Sequence, residues 1–121
     1  MKFEEKHSKE LQNAIFILNQ IFEIECKSEK LTEANSIDRN LRKLKEFFSN
    51  TESPLTIENP IGEEYSETRT DVEASISGDS MDNLFIVDVI KPIIRITLGK
   101  KNLIAQKAIV IVESKKGDSD E

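Results

Sequence analysis

Few of the 121 residues are of types that do chemistry. The one histidine, His7, sits in a polar lead-in, MKFEEKHSKE, and reads as a surface residue. No Ser–His–Asp or Cys–His constellation assembles around it. The one cysteine, Cys26, falls at an apolar helical position and reads as a small core hydrophobe. A single cysteine excludes an internal disulfide and a cysteine zinc site, and fits a reducing cytoplasm. Glu63, Glu64, Glu67, Asp71 and Glu73 would supply an acid–base pair only if burial shifted their pKa values, and nothing in the sequence buries them. Asp79 and Asp82 flank Ser80 and Met81 without the alternating oxygen ligands and closing glutamate of a calcium loop, so they read as a polar turn. Gly62, Gly78, Gly99 and Gly117 fit neither a Walker loop nor a dinucleotide fingerprint. The expectation is a chain that is not an enzyme, with no catalytic residue, no metal ligand and no cofactor. An enzyme acting through the acidic stretch is the weakest of the readings.

Charge bears on the partner. The net charge is -6, which argues against nucleic acid, because phosphate binding needs a basic surface. Residues 1–50 carry nine acids and nine bases. Residues 51–82 carry nine acids and only Arg69 on the basic side, and residues 83–117 carry seven bases against Asp88 and Glu113. An acidic middle beside a basic end steers encounters with proteins, although solvated loops and strand edges account for such a distribution equally well. Hydrophobic residues are 37% and charged residues 33% of the chain, a composition that leaves a thin private core and favours help from a second chain. No apolar run approaches the roughly 20 residues of a membrane helix, and the N-terminus lacks the apolar core of a secretory signal. A cytoplasmic protein is expected.

The elements that must position any site are legible as two halves. From Leu11 to Cys26 the apolar residues Leu11, Ala14, Ile15, Leu18, Ile21 and Phe22 step by three and four, which predicts a helix. Phe16, Ile17 and Ile24 add apolar surface outside that face, as in a helix covered on more than one side. Ser8 is a candidate cap. A second helix follows from Ala34, Ile37, Leu41, Leu44 and Phe48, with Ser36 as its candidate cap and Arg39 and Arg42 on the polar face. The two stripes lose phase through residues 27–35, so the reading is an antiparallel helix pair. Pro54, Pro60 and Gly62 end the helical half, and Leu55 and Ile57 mark a short extended piece within that connector. Beyond it, LFIVDVI (84–90), the alternating 93–98 and a long return strand 103–112 read as β structure. Pro92 interrupts them, a loop at Gly99–Asn102 joins the last two, and the tail 114–121 is expected to fray. The predicted organisation is 1–50 helical, 51–62 connector, 63–113 β domain and 114–121 tail.

In this order of elements the sequence resembles the GrpE family, the nucleotide exchange factors of DnaK-type chaperones. LQNAIFILNQIFE (11–23) is similar to the family's first bundle helix, and Ile37, Leu41, Leu44, Phe47 and Phe48 fall where the second bundle helix is apolar. Asn59-Pro60, Tyr65 and Val72-Glu73-Ala74 resemble the stretch that opens the family's β wing, with about two extra residues between. VDVIK (87–91) resembles the run before the wing turn, and AIVIV (108–112) the final wing strand. Pro92-Ile93 and Gln106-Lys107 depart from the family pattern, the hairpin at Gly99 is longer, and the long stalk helix is almost wholly missing from this sequence.

The resemblance implies an α+β fold in which the helix pairs of two chains form a four-helix bundle and each chain projects a β wing. The dimer interface it implies comprises Leu11, Ile15, Leu18, Phe22, Ile37, Leu41, Leu44 and Phe48. The implied contacts with the chaperone ATPase domain are Ile90 and Val112 on the wing, with Arg39 and Arg42 at the bundle edge. With the stalk reduced to a short lead-in, engagement is expected to be limited to the ATPase domain. The implied activity is promotion of ADP release. The alternative is a non-exchanging GrpE-like adaptor or other protein-binding module.

Overall fold

The described residues fold as α+β: two helices followed by six strands in two three-stranded sheets. The computed structural model describes residues 8–31 and 35–115. His7, Ala34 and residues 116–121 lie outside the described residues.

Helix α1 (Lys9–Ser28) starts where Ser8 Oγ accepts the Leu11 amide at 3.0 Å. This satisfies one of the donors that a helix start leaves free. Helix α2 (Asn35–Ser49) opens one residue before the expected cap, so Ser36 lies in its first turn. Ser28 Oγ donates to Asp38 Oδ1, and Lys45 Nζ pairs with Glu25 at 2.6 Å. Later residues of α2 thus meet earlier residues of α1, which makes the pair antiparallel.

The strands are β1 (Leu55–Glu58), β2 (Val72–Ile76), β3 (Leu84–Lys91), β4 (Ile93–Leu98), β5 (Lys101–Gln106) and β6 (Ala108–Ser114). One sheet has the order β1-β4-β5 and the other β2-β6-β3. Residues 84–114 form one long ribbon folded across both. Its first leg changes sheet at Pro92 and its second at Lys107, opposite one another. Pro92 donates no backbone hydrogen bond, which suits a strand break. The expected single strand 103–112 is therefore two strands, because the chain must leave one sheet for the other at Lys107. The ribbon turns at Gly99, whose φ of 63° suits glycine. β6 runs on through Ser114, one residue into the expected tail. β2 runs parallel to β6, an arrangement that needs the intervening crossover.

Consecutive residues of β4 serve two cores. Ile93 joins Val72, Leu84, Ile86, Ala108, Val110 and Val112 beneath the β2-β6-β3 sheet. Ile94 and Ile96 join Leu55, Leu18, Ile21 and Leu41 between the β1-β4-β5 sheet and the helices. The helix pair and the β half thus share a core. Each large apolar side chain so covered is worth about 1.5–3 kcal/mol.

A chain of charges also ties the sheets together. Arg69 holds Asp71 with two hydrogen bonds, at 3.0 and 3.2 Å, and reaches Glu63 at 3.1 Å. Arg95 on β4 reaches the same Asp71 carboxylate at 3.1 Å and Glu58 on β1 at 3.1 Å. The hydrogen bonds from Arg69, helped by the charges of Arg69 and Arg95, hold the Asp71 carboxyl below its usual range despite its partial burial.

Candidate partner-binding surfaces

The apolar run of β3 would bury or expose alternate residues if its pairing were regular, and it is not. Ile86 pairs with Val112 and Asp88 with Ile111, so Val87 is an extra residue on β3. Val89 pairs with Val110 and Lys91 with Ile109, so Ile90 is a second one. Each bulge sets two consecutive residues against one and turns the strand. Leu84, Ile86 and Val89 keep to the core, while Val87 is 45% and Ile90 52% exposed. The outcome is two exposed aliphatic–charged couples, Val87-Asp88 and Ile90-Lys91, on a strand held by β6 along its length. The other edge of β3 is strapped at its start, over Leu84–Ile86, by residues 62–65: Gly62 donates to Ile86 O, Ile86 to Glu63 O and Tyr65 to Leu84 O.

Val112 is placed differently from Ile90. It is fully buried in the core of the β2-β6-β3 sheet, where no partner reaches its side chain. Arg39 and Arg42 are exposed on α2. Arg42 lines a cleft of about 250 Å³ beside β1, with Lys45 and Glu46.

The helix residues divide into two groups. Leu18, Phe22 and Leu41 are buried, and Leu18 and Leu41 pack with Leu55, Ile94 and Ile96 of the sheet. Leu11, Ile15 and Phe48 pack half-buried against the same cluster. These six serve the chain's own core. Ile37 and Leu44 are exposed, as are Phe16 (64%), Ile17, Ile24 and Phe47 (66%). Ile17 and Ile24 neighbour Ile21 and Ser28 around α1, and Ile37 and Leu44 neighbour Leu41 around α2. At 100° per residue this sets Ile17, Ile24, Ile37 and Leu44 along the helix–helix seam, on the side away from the sheet, with Phe16 and Phe47 on the outer flanks. No charged residue interrupts α1 between Glu10 and Glu23. These side chains make a contiguous exposed apolar face, the kind of patch on which a partner surface is sought. In sequence, the clue to this second face was the excess of Phe16, Ile17 and Ile24 over a single stripe.

Burial, together with Glu29 and Glu25, pushes the Cys26 thiol up, so it is protonated at neutral pH and a poor nucleophile. Glu63 and Asp71 are held by Arg69, while Glu64, Glu67, Glu73, Asp79 and Asp82 are exposed. No group of three or more metal-ligating side chains occurs among the described residues, and no helix there is long and apolar enough to cross a membrane. One relation that the sequence did not disclose is the pair Asn19 and Gln106. Their side-chain amides exchange two hydrogen bonds, at 3.0 and 2.9 Å, and join α1 to β5.

No protein-family model, no curated protein and no solved structure matches the chain.

Proposed function

We propose that this chain is a GrpE-like nucleotide exchange factor: it binds the ATPase domain of a DnaK-type chaperone and promotes ADP release. The observation that carries the proposal is the exposed Ile90, turned out by a bulge where the resemblance puts a wing contact, with Val87 turned out near it by a second bulge. A bulged strand fixed in a sheet presents these side chains with little ordering cost on binding. The factor makes and breaks no covalent bond. It binds the open state of the nucleotide cleft better than the closed one and so shifts the population toward ADP loss. The bound unit is a homodimer in which the seam residues Ile17, Ile24, Ile37 and Leu44 of two copies, flanked by Phe16 and Phe47, cover one another as a four-helix bundle. The test is release of labelled ADP from DnaK-type ATPase domains, with and without this protein.

A second reading is a binding module of the same build that does not exchange nucleotide. Pro92 favours it. The residue standing where the family has its wing turn is buried at the sheet crossing, so the projecting turn lies further on, at Gly99. In that case the chaperone is bound and its ADP release is unchanged.

A further inference from the structure

The acidic stretch 51–82 has no part in the function proposed above, and the structure places two of its acids, Glu64 and Glu67, on the wall of one cleft. Beside β2 lies a cavity of about 340 Å³ lined by Tyr65, Ala74, Ile76, Met81 and Leu84, with Glu64 and Glu67 also on its wall. Met81 is exposed in the loop that also carries Asp79 and Asp82. Arg69, the one base of the stretch, is held by Asp71 and Glu63, so it does not neutralise the cleft. Among the described residues Glu64, Glu67, Glu73, Asp79 and Asp82 take part in no ion pair. The cleft thus has a mixed wall, in which Ser66 and Asn83 join the apolar side chains and the charged residues, Glu64 and Glu67, are both acidic. The cleft between α2 and β1 is unlike it, since Arg42 and Lys45 oppose Glu46 there.

The backbone beside this cleft is unpaired. β2 is the end strand of its sheet. Asp71 O accepts from Ala108 N at one end, and Ser77 N donates to Val112 O at the other. In a parallel ladder alternate residues bond to the same neighbour. Asp71, Glu73, Ser75 and Ser77 thus face β6, and the amides and carbonyls of Val72, Ala74 and Ile76 face the open edge. The opposite edge of the sheet, on β3, is strapped over Leu84–Ile86 by residues 62–65.

We infer that this edge and cleft bind an extended basic segment of a partner protein, which adds to the sheet beside β2. Main-chain hydrogen bonds to Val72, Ala74 and Ile76 hold the segment, in the manner of strand addition. One aliphatic side chain enters the cleft against Tyr65, Ile76 and Met81, and flanking lysine or arginine side chains meet Glu64 and Glu67. The sign of the charge selects the occupant. A second copy pairing β2 with β2 by two-fold symmetry would bring its own acids against these, and like charges across an interface oppose docking. The site lies on β2 and is separate from the Ile90 surface, so each is testable without the other.

The experiment is fluorescence anisotropy of a labelled decapeptide of alternating lysine and valine, with a glutamate–valine peptide as control, followed by backbone amide shifts of the full chain. The lysine peptide is expected to bind at least tenfold tighter than the glutamate peptide, to weaken as salt rises, and to shift amides of 72–76. The exposed double variant Glu64→Lys, Glu67→Lys is expected to lose at least tenfold in affinity. Ala74→Pro is expected to lose binding too, since it removes an outward amide while Glu73 and Ser75 keep the ladder to β6. Equal binding of the two peptides, no binding, unchanged affinity in the folded charge variant, or shifts centred away from β2 would overturn the inference. So would concentration-dependent shifts of 72–76 without peptide, which would assign the edge to a second copy.

Discussion

Asn19 and Gln106 face each other across the helix–sheet junction and exchange two side-chain hydrogen bonds, while Gln106 Nε2 also donates to Pro92 O at 3.0 Å. One amide thereby touches α1, β5 and the sheet crossing. Truncating either partner leaves the other with unmet hydrogen-bonding groups in a partly buried place, at a cost of about 1–3 kcal/mol. Asn19→Ala and Gln106→Ala should each lower the urea midpoint without changing its slope. The double variant should cost less than the sum of the two, because the second change removes a partner already lost. Additive costs would mean that the pair is not coupled.

Asp71 supplies the acid sensitivity. Its carboxyl is held low chiefly by the hydrogen bonds from Arg69, then by the nearby positive charges. A depressed folded-state pKa stabilises the fold above the unfolded value, near pH 4, and that contribution disappears as pH falls through the folded value. Asp71→Asn should lower stability by about 1.5–3 kcal/mol at pH 7 and flatten the loss of stability below about pH 4. A variant with the acid limb of the native protein would remove Asp71 from this role.

The seam face predicts the oligomer. The native chain should sediment as a dimer at micromolar concentration. Ile17→Glu with Leu44→Glu should yield a folded monomer, because both residues are exposed and neither belongs to the cluster beneath the helices. A clean monomer for the native chain would end the four-helix-bundle proposal.

Ile90 and Val112 separate binding from folding. Ile90→Asp should keep the fold, as the side chain is half exposed, and lose about 2 kcal/mol or more of chaperone affinity, roughly thirtyfold. Val112→Asp should unfold the β lobe, since it buries a charge with no partner. Unchanged affinity on calorimetry of Ile90→Asp would take the contact away from this strand.

The two helices were legible because Leu11 to Phe22 and Ile37 to Phe48 keep one period over several turns, and Ser8 stands where a cap is needed. The strands at 84–98 were legible from β-branched runs and Pro92. What the inner stripe packs on was not. Period three–four says that a face is buried, not whether a sheet or another helix buries it, and here Leu18 and Leu41 meet Ile94 and Ile96. β2 escaped notice because Glu73 and Ser75 dilute its apolar residues, and its partner β6 lies more than thirty positions on. The single strand expected over 103–112 hid a change of sheet at Lys107, where no proline or glycine marks it. Val87 and Ile90 read as part of one apolar run, since a bulge depends on register with β6 and leaves no composition of its own. Asn19 and Gln106 are ordinary polar residues until the fold brings them together.

The central claim rests on a single rate. Preloaded, labelled ADP should leave a DnaK-type ATPase domain at least about tenfold faster with this protein than without it, a change of about 1.4 kcal/mol in barrier, and Ile90→Asp should abolish the acceleration. An unchanged release rate from every such domain that the protein binds would contradict exchange and leave the binding module. Absence of binding to any of them would contradict the chaperone assignment altogether.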